Sequence, residues 1–243
     1  MPRFYCPQPL ATGAVIILPD AVAHHARVVR LQPGAALTLF NGDGGQYTAE
    51  LLSVDKKAAT ALIGAHTALD CELPYAITLA QALPEASKMD WIVEKAVELG
   101  VAVVVPLAAQ RCVVRLSAER AEKRQQHWQG VIVAASEQSG RNTLARLEPL
   151  QSLPDWLARH DASAATRLLL SPRAQVSLPA WAGAQAPHSL ALMVGPEGGF
   201  TDQEEAAAVQ AGAIAVSLGP RVLRTETAAL AALSVLAAIW NGM

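Results

Sequence analysis

A chain of 243 residues with a formal charge of −2, 52% hydrophobic and 16% charged residues holds enough apolar material for one large domain or two smaller ones, and is too apolar for a disordered or fibrous protein. The near-neutral charge excludes a globally basic nucleic-acid binder, so any RNA surface has to be a local patch, best made of arginines that fork onto phosphate. Cys6, Cys71 and Cys112 are odd in number, far apart and without C-x-x-C spacing, which supports neither a disulfide framework nor a zinc site. A reducing cytoplasm is expected, with no metal. Residues 1–5 show no signal-peptide core, and the most apolar stretch, 228–240, falls short of the about 20 residues that a membrane span requires.

In chain order, residues 15–18, 36–40, 46–54 and 59–64 read as short strands, and Asn41-Gly42-Asp43-Gly44-Gly45 is the strongest hairpin signal among them. One helix interrupts them at 21–31, with Asp20 as N-cap and Pro33-Gly34 as terminator. The pattern over 1–70 is that of a small β-barrel with one helix. From 71 onward strands alternate with helices. Residues 76–82, 101–105, 168–170, 190–194 and 213–218 read as buried strands, and 87–99, 117–139 and 226–240 as helices. Such alternation implies βαβ units and a mostly parallel sheet over 71–243. Thr201-Asp202-Gln203-Glu204 is a capping-box pattern that starts a further helix. The last helix is apolar on almost every side and has to be covered all round, in a core or by another subunit.

Two glycine turns carry the chemistry. Gly195-Pro196-Glu197-Gly198-Gly199 follows the strand 190–194, and Leu218-Gly219-Pro220-Arg221-Val222-Leu223-Arg224-Thr225-Glu226-Thr227 follows the strand 213–218. Bends at the carboxyl ends of neighbouring buried strands are where open α/β sheets bind ligands, and glycine lets a ligand approach the main chain closely. Neither turn is a phosphate loop. Phe200 and Thr201 follow Gly199 where a P-loop needs lysine and a hydroxyl residue, and Glu197 puts negative charge where phosphate would sit. Leu170 and Ser171, at a third strand end, complete a pocket walled by Met193, Leu218 and Leu223.

Residues 193–240, Arg3-Phe4, His24-His25-Ala26-Arg27-Val28-Val29-Arg30, Lys88-Met89-Asp90-Trp91, Glu94-Lys95-Ala96-Val97-Glu98-Leu99-Gly100-Val101 and Ser136-Glu137-Gln138-Ser139-Gly140-Arg141 occur as a set along nearly the whole chain. On these residues the chain resembles the ribosomal RNA small subunit methyltransferase E family of the SPOUT superfamily. The resemblance implies a PUA-like RNA-binding domain at 1–70. For 71–243 it implies a SPOUT methyltransferase domain whose C-terminus is a trefoil knot binding S-adenosylmethionine, and a homodimer that methylates N3 of one uridine of 16S ribosomal RNA. Alternatives within reach of the same sequence are another RNA target, or an RNA-binding protein without catalysis.

On this resemblance the cofactor site comprises Leu170, Met193, Gly195, Pro196, Glu197, Gly198, Gly199, Leu218, Gly219, Leu223, Arg224 and Thr225. Glu197 either favours the cationic sulfonium or is a carboxylate stabilised by a helix N-terminus. Arg221 and Arg224 are placed to stabilise a uracil anion. Glu226 or a water is the general base, unless Glu226 only caps its helix. Arg3, Arg27, Arg30, Arg111, Arg115 and Arg141 are the candidate phosphate contacts. Glu137 and Arg141, at i, i+4 spacing, form either a structural ion pair or a substrate contact.

Overall fold

The computed structural model describes residues 1–56, 58–85, 87–158 and 166–242. The chain divides into two compact units that do not follow its sequence order: Met1–Glu72 joined by Ser136–Leu144, and Leu73–Ala135 joined by Ala145–Met243.

The first unit contains β1 (Arg3–Tyr5), β2 (Val15–Ile17), α1 (Asp20–Val28), β3 (Ala36–Phe40), β4 (Gln46–Val54) and β5 (Ala59–Thr67). They form a five-stranded sheet in the order β1-β3-β4-β5-β2, antiparallel except where β1 runs parallel to β3. Alternate residues of these strands, Leu37, Leu39, Leu51 and Ile63, turn inward with Phe4, Leu18 and Val22 to make the core. Asp20 is the first residue of α1 and Pro19 its N-cap, so Asp20 acts through the helix dipole rather than as the expected cap. The helix ends at Val28 with Val29 as its C-cap, earlier than expected, and Arg30 follows at φ +56°.

Arg3 and Arg141 hold the first unit together. Arg3 donates to Gln46 Oε1 (2.5 Å), Arg141 O (2.7 Å) and Asn142 Oδ1, and its guanidinium lies 4.3 Å from the Phe40 ring centroid. Burial lowers its pKa from the ordinary value. Arg141, 2% exposed, grips both carboxylate oxygens of Glu72. Glu137 accepts the Tyr5 N–H at 2.8 Å, and burial pushes its carboxyl upward.

The second unit contains β6 (Ile77–Ala82), α2 (Lys88–Glu98), β7 (Val103–Ala108), most of α3 (Ala118–Ser139), β8 (Arg146–Leu147), β9 (Gln151–Ser152), α4 (Leu153–Ala158), β10 (Thr166–Leu170), α5 (Leu178–Gly183), β11 (Leu190–Val194), α6 (Asp202–Gln210), β12 (Ala213–Val216) and α7 (Thr225–Ile239). Its seven-stranded sheet is parallel throughout, in the order β12-β10-β11-β6-β7-β8, with β9 also pairing with β7. β11 is buried along its whole length, as a central parallel strand covered on both faces must be. Met89, Ile92, Val93 and Ala96 form the buried stripe of α2, against which α7 packs. Trp240 closes the C-terminal end, its ring 5.0 Å from Tyr75 and its Nε1 donating to Ala182 O at 3.0 Å.

Candidate active site

The carboxyl ends of β10, β11 and β12 open onto a cavity of about 350 Å³ in the second unit, within the usual range for small-molecule sites. The first glycine turn leaves β11 and folds back on itself. A Cβ on Gly195 would sit 2.9 Å from Phe200 N and 3.0 Å from Gly199 C, so only glycine permits the fold. The turn ends in a complete capping box, Thr201 Oγ1 accepting from Glu204 N and Glu204 returning to Thr201 N at 2.8 Å. Glu204, 7% exposed, also accepts the Gln110 N–H.

A buried hydrogen-bond chain ties the two turns to the sheet. Thr225 Oγ1 donates to Gly195 O (2.6 Å) and accepts from Gln81 Nε2 (3.0 Å), which also donates to Ala82 O. Gln81 is fully buried at the end of β6. Arg111 clamps the same turn from outside, its Nη1 donating to Gly198 O (2.8 Å) and Phe200 O (3.2 Å).

Glu197 lies before the Thr201 N-cap and turns to Lys88, with Nζ 2.7 Å and the Glu85 N–H 3.0 Å from its Oε1. Burial works to raise the Glu197 carboxyl, but Lys88 and the backbone donors outweigh it and hold the group below its ordinary value. The helix-terminus alternative for Glu197 therefore gives way to an ion pair. At another edge of the cavity Ser171 donates to Glu205, and Arg173 bridges Asp202 (2.6 Å) and Glu205 (3.0 Å).

Of the expected site residues, Leu170, Gly195, Pro196, Glu197, Gly198, Gly199, Leu218, Leu223 and Thr225 line the cavity, and so do Arg111 and Arg221. Three expected at the cofactor site do not. Met193 is fully buried within β11, and its neighbour Val194 reaches the cavity instead. Gly219, at φ +98°, bends the second turn without lining the cavity, and Arg224 is the N-cap residue of α7. Glu226 lies in the first turn of α7 and is not among the lining residues, with Oε2 buried and lacking a hydrogen-bond partner among the described residues. The sequence reading missed Arg173, Glu205, Ala228 and Gln81. Only Gln81 announced itself, as the one amide in the apolar strand 77–82.

The candidate phosphate contacts separate in the same way. Arg3 and Arg141 turn inward, which corrects their expected exposure, because their guanidiniums satisfy backbone and carboxylate acceptors of the first unit. Arg111 is exposed but bound to the glycine turn. Arg27, which donates to Asp55 O, together with exposed Arg30 and Arg115, remains at the surface.

An RNA methyltransferase domain family matches residues 71–237, and an RNA methyltransferase PUA domain family matches residues 18–64. The fold matches the crystal structure of a ribosomal RNA small subunit methyltransferase E from Neisseria gonorrhoeae bound to S-adenosyl methionine, with a TM-score of 0.91 and 40% identity over 99% of this chain and 98% of that one. The chain belongs to the ribosomal RNA small subunit methyltransferase E family. A family member from Bacillus subtilis (strain 168) is 33% identical over 89% of this chain and 87% of its own length. The methyltransferase Lpg2936 of Legionella pneumophila, in complex with SAM, matches with a TM-score of 0.91 and 37% identity over 98% of this chain and 97% of that one. As in the family, a PUA domain precedes an α/β methyltransferase domain built on a parallel sheet.

Proposed function

We propose that this chain transfers a methyl group from S-adenosylmethionine to N3 of one uridine of 16S ribosomal RNA, as a cytoplasmic homodimer acting on RNA of the small ribosomal subunit. The observation that carries the reading is the cavity where three parallel strand ends meet two glycine turns. Its lining fits the cofactor's mixed character. Leu170, Val194, Leu218 and Leu223 offer apolar walls for an adenosyl group, the glycine turn brings main chain to the cavity surface, and Glu197, Glu205, Arg173 and Arg221 offer charge of both signs for an amino-acid end. The trefoil knot belongs to the same reading. It is supported by β12 lying at the sheet edge beyond β10 and by α7 then returning to pack on β11 and α2.

S-adenosylmethionine, when bound, supplies a methyl group on a cationic sulfur that departs as a neutral thioether. The protein's part is to orient N3 in line with that methyl and to stabilise the charge that develops on uracil as N3 loses its proton. Arg221, exposed at the cavity's rim, is the cation placed for the uracil carbonyl oxygens. Arg224 is outside the lining, at the N-cap position of α7. Glu197 is a poor base, held below its ordinary value beside Lys88, and Glu226 is not among the residues that line the cavity, so the acceptor assigned to the N3 proton is water. Arg27, Arg30 and Arg115 are the phosphate contacts.

The test is methyl transfer from tritiated S-adenosylmethionine to small subunits purified from cells lacking the protein, followed by nuclease digestion and mass spectrometry. The expected product is 3-methyluridine at one position. A different methylated nucleoside, or no transfer, overturns the reading.

A further inference from the structure

The first unit holds a cavity of about 560 Å³ that methyl transfer does not use. One wall is the turn from Asn41 to Gly45, another is residues 7–10, and Tyr5, Tyr47 and His66 supply its rings. The pairing of β4 with β5 sets Tyr47 directly opposite His66, with ring centroids 4.7 Å apart at 49°. Gly45, at φ +70°, makes this possible, since a Cβ there would collide with the His66 ring and lie 2.7 Å from Thr67 O. Asp43, an exposed residue of the lining, is held by Asn41, with its Oδ2 2.8 Å from Asn41 Nδ2 and its N–H donating to Asn41 Oδ1 at 3.2 Å.

No lysine or arginine lines this cavity among the described residues, so it is not built for phosphate. Rings beside a fixed carboxylate suit a flat, uncharged aromatic body whose edge carries N–H donors. Single-stranded RNA presents such bodies as unstacked bases, read by aromatic faces and edge hydrogen bonds. An ionised carboxylate only accepts, and among the bases guanine offers it two adjacent donors, N1–H and N2–H. Uracil offers one N–H between two carbonyl oxygens, which the carboxylate repels.

We propose that this cavity receives one unstacked guanine of the RNA substrate, its face against Tyr47 and His66 and its Watson–Crick edge on Asp43. The proposal rests on the RNA methyltransferase reading and adds to it a sequence-reading subsite in the first unit. Tyr47 packs against the core of that unit, so exposed His66 is the residue to remove, with Tyr47→Phe as the variant that keeps the ring.

The experiment measures fluorescence anisotropy of the full-length protein with two labelled octaribonucleotides, one all uridine and one carrying a single central guanosine. Stacking contributes about 1–3 kcal/mol per base, or roughly 5- to 150-fold. The wild type is expected to prefer the guanosine octamer at least about fivefold. His66→Ala should weaken the guanosine octamer at least about fivefold and leave the uridine octamer nearly unchanged, Asp43→Asn should abolish the preference, and Tyr47→Phe should bind as wild type, with calorimetric S-adenosylmethionine affinity unchanged in all three. Methyl transfer to small subunits by the wild type, without discrimination between the octamers, overturns the guanine subsite and leaves the methyltransferase reading intact. Neither transfer nor binding of either octamer overturns both.

Discussion

Replacing Gly195 by alanine is the sharpest probe of the cofactor cavity. The new Cβ would lie 2.9 Å from Phe200 N and 3.0 Å from Gly199 C, both main-chain atoms, so no side-chain rotation relieves the contact. The turn has to open, and overpacking of this kind costs about 1–3 kcal/mol. That cost falls on the segment that walls the cavity, so affinity for S-adenosylmethionine should drop by roughly 5- to 150-fold, at about 1.4 kcal/mol per factor of ten. Two other glycines calibrate the result. A Cβ on Gly198 meets only the Arg111 side chain, at 3.3 Å, and exposed Arg111 can shift, so Gly198→Ala should be mild. Gly219 has open space but φ +98°, so Gly219→Ala should pay about 1–2 kcal/mol of backbone strain. Isothermal titration with S-adenosylmethionine, on variants whose circular dichroism matches the wild type, should rank the losses Gly195, then Gly219, then Gly198. Wild-type affinity in Gly195→Ala would refute the placement of the cofactor against this turn.

Thr225→Val removes the donor to Gly195 O and the acceptor of Gln81 Nε2, leaving buried polar groups unpaired. The expected loss is about 1–3 kcal/mol, read as a fall in Tm of about 2–4 °C per kcal/mol. Arg141→Met strands the Glu72 carboxylate and should destabilise the protein by about 3 kcal/mol in urea unfolding, while calorimetric cofactor affinity stays as in the wild type. The Lys88–Glu197 pair gives a pH signature. Glu197 titrates below its ordinary value of 4.5 in the folded state, so its contribution is complete above that pH and is lost as pH falls through the lower folded value. Lys88 titrates above its ordinary 10.5, chiefly through its hydrogen bond to Glu197, so its contribution is complete below that pH and is lost only as pH rises beyond it. Thermal melts should therefore show the difference between wild type and Lys88→Met constant through the neutral range and shrinking below about pH 4.5.

Elements defined by local pattern were legible. The strands at 36–40, 46–54 and 190–194 fall where alternation or a continuous apolar run puts them, and the capping box at Thr201 marks the start of α6. β1, β8 and β9 were not, because two or three residues carry no periodicity and such strands exist only through a distant partner. α5 had a readable signal, Ser177 as N-cap with Pro179 in its first turn, that its shortness concealed. The cavity was legible where glycine turns follow strands. It was not legible at Met193, since β11 is covered on both faces and its sequence cannot say which side chain reaches the cavity. Arg3 and Arg141 read as surface cations because the acceptors that draw them inward, Gln46 and Glu72, lie 43 and 69 positions away.

The discontinuous make-up of the first unit bears on how the protein emerges from the ribosome. Glu137, which receives the Tyr5 N–H, and Arg141, which grips Glu72, are translated long after the strands they secure. At about 5–20 residues per second, several seconds separate the synthesis of β5 from that of Leu144. During that interval the nascent sheet lacks the contacts that Glu137 and Arg141 later make to Tyr5 and Glu72.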